Sequence, residues 1–258
     1  MALRTTPVRG TDDIREFFDR LAPLYRDCHG RGEKLLGYRL SVIERMLGNA
    51  ERGILLEIGC GTGLHLFALA ASFRRSLGTD LSPAMIEAAE RLRRPHPLEE
   101  RIALSVDPAE VLASVADGVI DVALCVGALE HMPDKLAVLR QARRVLRPDG
   151  VFLCLTPNAD YLWYSRLARW MGLSTRHLSS DRFLSRSELP GLLADAGLAL
   201  EAFDYWTFVP RGDMPAGLAG LLDRLDWLGH AARIPCLRGG ICFRAGLRSA
   251  APAHRSDG

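Results

Sequence analysis

A chain of 258 residues with 48% hydrophobic content can bury a sizeable core as one α/β domain, and its 33 Lys plus Arg nearly balance 31 Asp plus Glu. A formal net charge of +2 makes no demand for a polyanionic partner, and no apolar run approaches the roughly 20 residues of a membrane span. The stretch Met1 to Asp13 has no apolar segment of a secretory signal, so a cytoplasmic protein is expected.

Residues 13–47 read as a helical N-terminal region carrying Tyr25, His29 and Tyr38, and 53–58 (GILLEI) as a short strand bounded by glycine. Helical character over 63–73 is followed by a second strand at 75–81 (RSLGTDL). Ser82 then Pro83 open a helix over 82–94, an N-cap residue with proline at the first helical position. A third strand, 101–107, leads into a short predicted helix, PAEVLASV, and the apolar run 118–127 reads as a fourth strand covered on both faces. Over 133–146, Leu136, Leu139, Ala142 and Leu146 share one stripe, while Arg140, Arg143, Arg144 and Arg147 form a solvated face. Asp134 reads as an acid of that helix's first turn. The helix stops at RPDG, a turn signal, before a fifth strand at 150–157. This alternation predicts a parallel sheet with helices on both faces. Six scattered cysteines, with neither a C-x-x-C pair nor the spacing of a metal site, read as free thiols, so no metal is expected.

The stretch LLEIGCGTG places glycines at 59, 61 and 63, where the first strand ends and the next helix begins. In open α/β sheets that edge is where ligands bind. A dinucleotide fingerprint counted from Gly59 needs glycine at 64, and Leu64 stands there. The spacing favours a smaller, nucleoside-like ligand, and Asp80 at the end of the second strand is placed to accept hydrogen bonds from both ribose hydroxyls.

With LLEIGCGTG, GTDLSPAMIEAA, VDPAEV, CVGALEHM and LRPDGVFLCLTPN in order over roughly residues 40–200, the sequence resembles the class I S-adenosylmethionine-dependent methyltransferases. The resemblance implies a Rossmann-like sheet of seven mostly parallel strands with the last antiparallel, and 198–209 and 239–248 are candidates for the sixth and seventh. It implies S-adenosylmethionine as cofactor. Gly59, Cys60, Gly61, Thr62 and Gly63 would approach its methionine part, and Glu57 would steady the loop and the ammonium. Asp80 and Leu81 would hold the ribose, Asp107, Pro108 and Ala109 the adenine, and Val126 and Gly127 the methionyl end. His131, just past the fourth strand, is the candidate general base, with packing beneath the cofactor as the alternative.

The resemblance also makes residues 1–47 an N-terminal helical lid and 48–248 the cofactor-binding domain, with insertions 158–184 and 211–238 over the substrate and a disordered tail at 249–258. Tyr25, His29, Tyr38, Tyr161, Tyr164 and His177 are candidate substrate contacts, and such an aromatic cover suits an apolar or aromatic small-molecule acceptor. The amphipathic stretch 214–235 reads as core or lid, with peripheral membrane contact and a dimer interface as alternatives, so the protein is expected as a monomer or homodimer. The function expected is methyl transfer to oxygen, or to nitrogen or carbon, of a quinone, polyketide, lipid or sugar intermediate. A nucleic-acid or protein methyltransferase and a non-catalytic cofactor-binding protein are the competing readings. No base-methylation motif follows the fourth strand and no basic domain is added, so no nucleic-acid partner is expected.

Overall fold

The computed structural model describes residues 5–25, 32–207 and 216–248. His29, Cys28 and the tail 249–258 lie outside them. Seven strands form one sheet in the order β3-β2-β1-β4-β5-β7-β6. They are β1 (Ile54–Ile58), β2 (Arg75–Asp80), β3 (Ile102–Val106), β4 (Ile120–Val126), β5 (Leu146–Pro157), β6 (Leu198–Trp206) and β7 (Gly240–Leu247). Only β7 runs antiparallel to its neighbours. The chain therefore reverses its strand order between β1 and β4, which opens a crevice at the carboxyl ends of those strands.

The helices are α1 (Thr11–Leu21), α2 (Gly32–Leu47), α3 (Leu64–Leu69), α4 (Pro83–Arg93), α5 (Lys135–Val145), the short α6 (Ala168–Trp170), α7 (Leu189–Asp195) and α8 (Ala216–Ala231). Two start where the sequence supplies a cap. Ser82 Oγ accepts from Met85 N at 3.1 Å, and Asp134 accepts from Ala137 N at 2.9 Å. The central strands are buried on both sides, and alternate residues feed different cores. Leu55, Val122 and Leu153 meet α2 and α3 through Val42, Ile43, Leu47 and Leu66. Leu56, Ala123 and Cys154 share the opposite core with Val138, Leu139, Leu189 and Leu193. Fully burying one such Leu side chain contributes about 1.5–3 kcal/mol.

Two predicted elements differ. PAEVLASV forms turns rather than a helix, because the Asp107 carboxylate draws the Ala113 and Ser114 amides back toward it and Leu112 takes a left-handed φ of 44°. The RPDG turn is a bulge inside β5, whose pairing jumps from Ile120↔Leu146 to Val122↔Val151. The N-terminal helical region is formed by two helices, α1 and α2.

Candidate active site

The glycine loop is tied to the sheet by its own amides. Gly59 N and Cys60 N both donate to Thr79 O, at 2.8 and 2.9 Å, and Gly61 N donates to Asp80 Oδ2 at 2.8 Å. Gly59, Gly61 and Gly63 have φ of 70°, 53° and 80°, the left-handed region that other residues enter at a cost. Their surroundings differ. A Cβ at Gly59 would stand 2.6 Å from Ala128 Cβ, and one at Gly63 2.6 Å from the Phe67 ring. A Cβ at Gly61 would project toward the Tyr25 ring, 3.6 Å away. Gly59 and Gly61 line the crevice, whereas Gly63 instead makes room for Phe67 and starts α3.

The crevice has two lobes, with Tyr25 and Gly59 common to both. Around the first stand Asp80, Leu81, Asp107, Ala109, Gly127 and His131, all anticipated from the sequence. Asp80 Oδ1 accepts from Ser82 N at 2.9 Å. Burial pushes the Asp80 carboxyl up to about 6, against the pull of the Ser82 and Gly61 amides, and the nearby charges of Glu57 and Asp19 add to the rise. Asp107 Oδ2 accepts from both Ser114 N and Ser114 Oγ, at 2.7 and 2.6 Å, so most of its capacity is spent on its own loop. Pro108 shapes that loop and does not line the crevice.

The second lobe is bounded by Glu57, Cys60, Val126, His65 and Arg39. Glu57 is buried with Oε1 at 3.1 Å from His65 Nδ1, while its Oε2 has no hydrogen-bond partner. Arg39 Nε is likewise buried and unpartnered, and desolvation lowers the Arg39 pKa despite the raising charges of Tyr25, Glu130 and Glu57. An unpartnered carboxylate oxygen and an unpartnered guanidinium nitrogen thus belong to residues that border the same lobe. Burial also pushes the Tyr25 hydroxyl up to about 12. Thr62 is buried in the loop, with its hydroxyl unpartnered, and lines neither lobe.

His131 stands at the crevice wall with Nδ1 2.7 Å from Asp181 Oδ1. Asp181 is buried, and its Oδ2 accepts from His177 N and Leu178 N, both at 2.9 Å. A carboxylate has no proton to give, so Nδ1 carries the hydrogen and a neutral His131 has its free lone pair on Nε2. Burial by itself lowers the His131 pKa, but the Asp181 hydrogen bond and the Glu130 and Asp181 charges outweigh it, and the result lies above 6.5. Asp181 moves the other way: burial raises it, and the His131 hydrogen bond and charge, with the two amides, bring it below the ordinary value. The ring of Phe18 packs edge-on to His131 at 5.3 Å and that of His177 lies 6.2 Å away.

Three anticipated contacts lie elsewhere. Tyr38 is over a third exposed, and its hydroxyl accepts from Thr207 N at 2.9 Å. Tyr161 and Tyr164 are buried in a separate cluster with Trp163, Ala168 and Leu222, because α8 offers them an apolar face. His177 reaches the site through its backbone amide and its ring stacking, not as a lining residue. Sequence reasoning missed Asp181, Arg39, Phe18 and Glu110. Arg39 alone had a signal, a cation flanked by Leu36, Leu40 and Ile43 on a helix. Nothing local marks Asp181, whose partner is 50 residues away.

Residues 31–202 match the methyltransferase domain family. A ubiquinone biosynthesis O-methyltransferase of Xanthomonas campestris pv. campestris (strain B100) is 31% identical over 156 residues, covering 57% of this chain and 63% of that protein. The protein of the same name from Xanthomonas oryzae pv. oryzae (strain PXO99A) is 30% identical over 215 residues, covering 78% and 87%. Among solved structures, the [4+2]-cyclase SpnF superposes with a TM-score of 0.68 at 17% identity, over 95% of this chain and 98% of that one. From its family match and its fold, the chain belongs to the class I S-adenosylmethionine-dependent methyltransferases.

Proposed function

We propose that this protein transfers the methyl group of S-adenosylmethionine to an oxygen of a small, uncharged and largely apolar metabolite, with His131 as general base. The observation that carries this reading is the His131–Asp181 pair at the wall of the lobe that Asp80 also lines, with the unpartnered Glu57 Oε2 bordering the adjoining lobe.

The residues present fit the cofactor. The unpartnered Glu57 Oε2 and Arg39 Nε complement an ammonium and a carboxylate, the two charges of its methionine end. Asp80 keeps lone pairs for ribose hydroxyls beyond those given to Gly61 and Ser82. Gly61 leaves space that a side chain would take, and Asp80, Asp107 and Glu110 favour a cationic ligand. Bound there, the cofactor supplies an electrophilic methyl on a sulfonium. The chain's own work is to hold the acceptor in line with that methyl and to remove its proton. Positioning of this kind is worth about 7–11 kcal/mol. His131 Nε2, which carries the lone pair in the neutral tautomer fixed by the Asp181-bound Nδ1–H, takes the hydroxyl proton as the oxygen becomes a nucleophile.

The acceptor reading rests on the walls. On the α1 and His131 side of the lobe, away from Asp80 and Asp107, Ile14, Phe18 and Met132 are apolar, and no Lys or Arg lines the lobe among the described residues. Such a lobe opposes a phosphorylated, carboxylated or nucleic-acid substrate. The name borne by the Xanthomonas relatives supports oxygen as the accepting atom. Residues 1–47 act as the lid in this reading. Within the described part, α1 roofs the crevice with Thr11, Ile14 and Phe18, and Asp19 Oδ1 fastens it by accepting from Ser82 Oγ at 2.5 Å. The Thr6 bridge to Leu178 ties the same segment to the turn that carries Asp181.

Incubation with S-adenosylmethionine and a panel of uncharged phenols and alcohols, reading S-adenosylhomocysteine and methyl ether by mass spectrometry, tests the proposal. Turnover of a member of that panel, lost in His131→Ala, is expected. Methylation confined to nucleic acid or protein substrates would overturn it.

A further inference from the structure

Away from the crevice, residues 163–176 and 216–234 turn aromatic and aliphatic side chains outward together with arginines. Trp170 is 85% exposed and Trp227 69% exposed, and Met171, Leu221 and Leu228 are exposed beside them in sequence. The two segments are neighbours, because Tyr161, Trp163, Tyr164 and Ala168 bury themselves against Leu222, with Leu167 and Leu225 alongside. On α8 the buried Leu222, Asp226 and Gly229 mark the inner face, and Leu221, Arg224 and Leu228 recur at helical spacing on the outer one. Both segments rise from the carboxyl edge of the sheet: one follows Pro157, and the other joins Trp206 to Gly240, which pair in register.

The exposed charges around these side chains are arginines, with Asp223 on α8 half-buried beside Arg224. Arg166, Arg169, Arg176, Arg224 and Arg233 are exposed, and none forms an ion pair among the described residues. Between 161 and 180 the sequence has no acid at all, and in α8 Asp226 is buried against Gly239 N and Thr207 Oγ1. Elsewhere some helical arginines are matched, as Arg15 is with Asp12 and Arg91 with Glu87.

From this surface we infer that the protein docks peripherally on an anionic lipid bilayer, with Trp170 and Trp227 inserted at the headgroup level and the arginines on the phosphates. Tryptophan, with an apolar body and an N–H, suits that interface, and arginine is drawn to the negative surface potential of such a bilayer. A second copy of the same face would set arginines against arginines, which argues against a symmetric dimer. Exposed Leu221, Leu228 and Met171 add aliphatic surface around the two tryptophans, which a bilayer takes up and a nucleic acid does not. No helix among the described residues is long and apolar enough to cross a membrane, so the contact is superficial.

The test uses the full chain with extruded vesicles of phosphatidylcholine alone and of phosphatidylcholine with phosphatidylglycerol at roughly two to one. Flotation measures partition, and quenching by brominated lipid reports tryptophan depth. Binding to the anionic vesicles only, weakened by salt, is expected. Trp170→Ser with Trp227→Ser should lower partition at least tenfold, and Arg169→Glu or Arg224→Glu about fivefold each. Near-ultraviolet circular dichroism and S-adenosylhomocysteine affinity check that the variants fold. Failure of the folded protein to bind either vesicle, or partition unchanged by these substitutions, would overturn the inference. So would a dimer in light scattering that the tryptophan variants dissolve, since the face would then meet another copy.

Discussion

The half of the molecule around β1 to β4 and the half covered by residues 158–184 and 216–237 obey different rules. In the first, short polar groups act on backbone at one sheet edge: Asp80 holds Ser82 and, from the adjacent strand end, Gly61, Asp107 holds Ser114, and Ser82 caps α4. In the second, similar side chains take opposite fates, with Trp163 buried and Trp170 85% exposed. Local hydrogen bonds are set by spacing, whereas burial is set by what distant elements bring. The His131–Asp181 pair joins the halves, His131 from the first and Asp181 from the second.

Breaking that join should give the largest effect. His131→Ala is expected to lower turnover by about 10²- to 10⁴-fold while leaving cofactor affinity within a few-fold, as kinetics and calorimetry would show. Asp181→Asn tests the second half's share through the pH profile of kcat/KM. The base acts unprotonated, so rate rises with pH through its pKa. Removing the carboxylate that raises that pKa should move the limb to lower pH and reduce the plateau. An unmoved limb would deny Asp181 its positioning role.

Within the first half, Asp80→Ala should cost roughly a hundredfold or more in S-adenosylhomocysteine affinity, because hydrogen bonds to a charged group contribute about 1.5–3 kcal/mol each. A pair of glycines sharpens the loop account. Gly118 and Gly59 share a left-handed φ, of 63° and 70°, but a Cβ meets nothing at Gly118 and stands 2.6 Å from Ala128 at Gly59. Gly118→Ala should cost about 1–2 kcal/mol in chemical denaturation, and Gly59→Ala about 1–3 kcal/mol more.

The smallest effect belongs to the second half. The Tyr161 hydroxyl is buried without a partner, so Tyr161→Phe should leave stability unchanged or raise it by about 1 kcal/mol, with turnover intact. A large loss of activity would return Tyr161 to the substrate site.

The same division explains what was legible in sequence. The strand–helix alternation, the glycine loop, Asp80 and His131 stand out by type and spacing, because each lies along or at the carboxyl edge of the same sheet. Asp181 and Arg39 were hidden, since their meaning depends on a turn and a helix packed in from elsewhere. Tyr161 and Tyr164 misled because an aromatic run fits a substrate cover and a hydrophobic cluster equally, and only α8 decides. That SpnF, a cyclase, superposes so fully shows why the fold by itself does not assign the chemistry.

The central claim, that the crevice holds the cofactor through Asp80, is tested most directly by titrating the folded protein with S-adenosylhomocysteine in a calorimeter across the pH range from about 5 to 8. Ribose hydroxyls favour the ionised carboxylate, and the free protein holds that carboxyl at about 6. Binding at a single site, level above that pH and weakening about tenfold per unit below it, is the predicted result. A folded protein that gives no binding heat at any temperature tried, or an affinity indifferent to pH and to Asp80→Ala, would contradict the account.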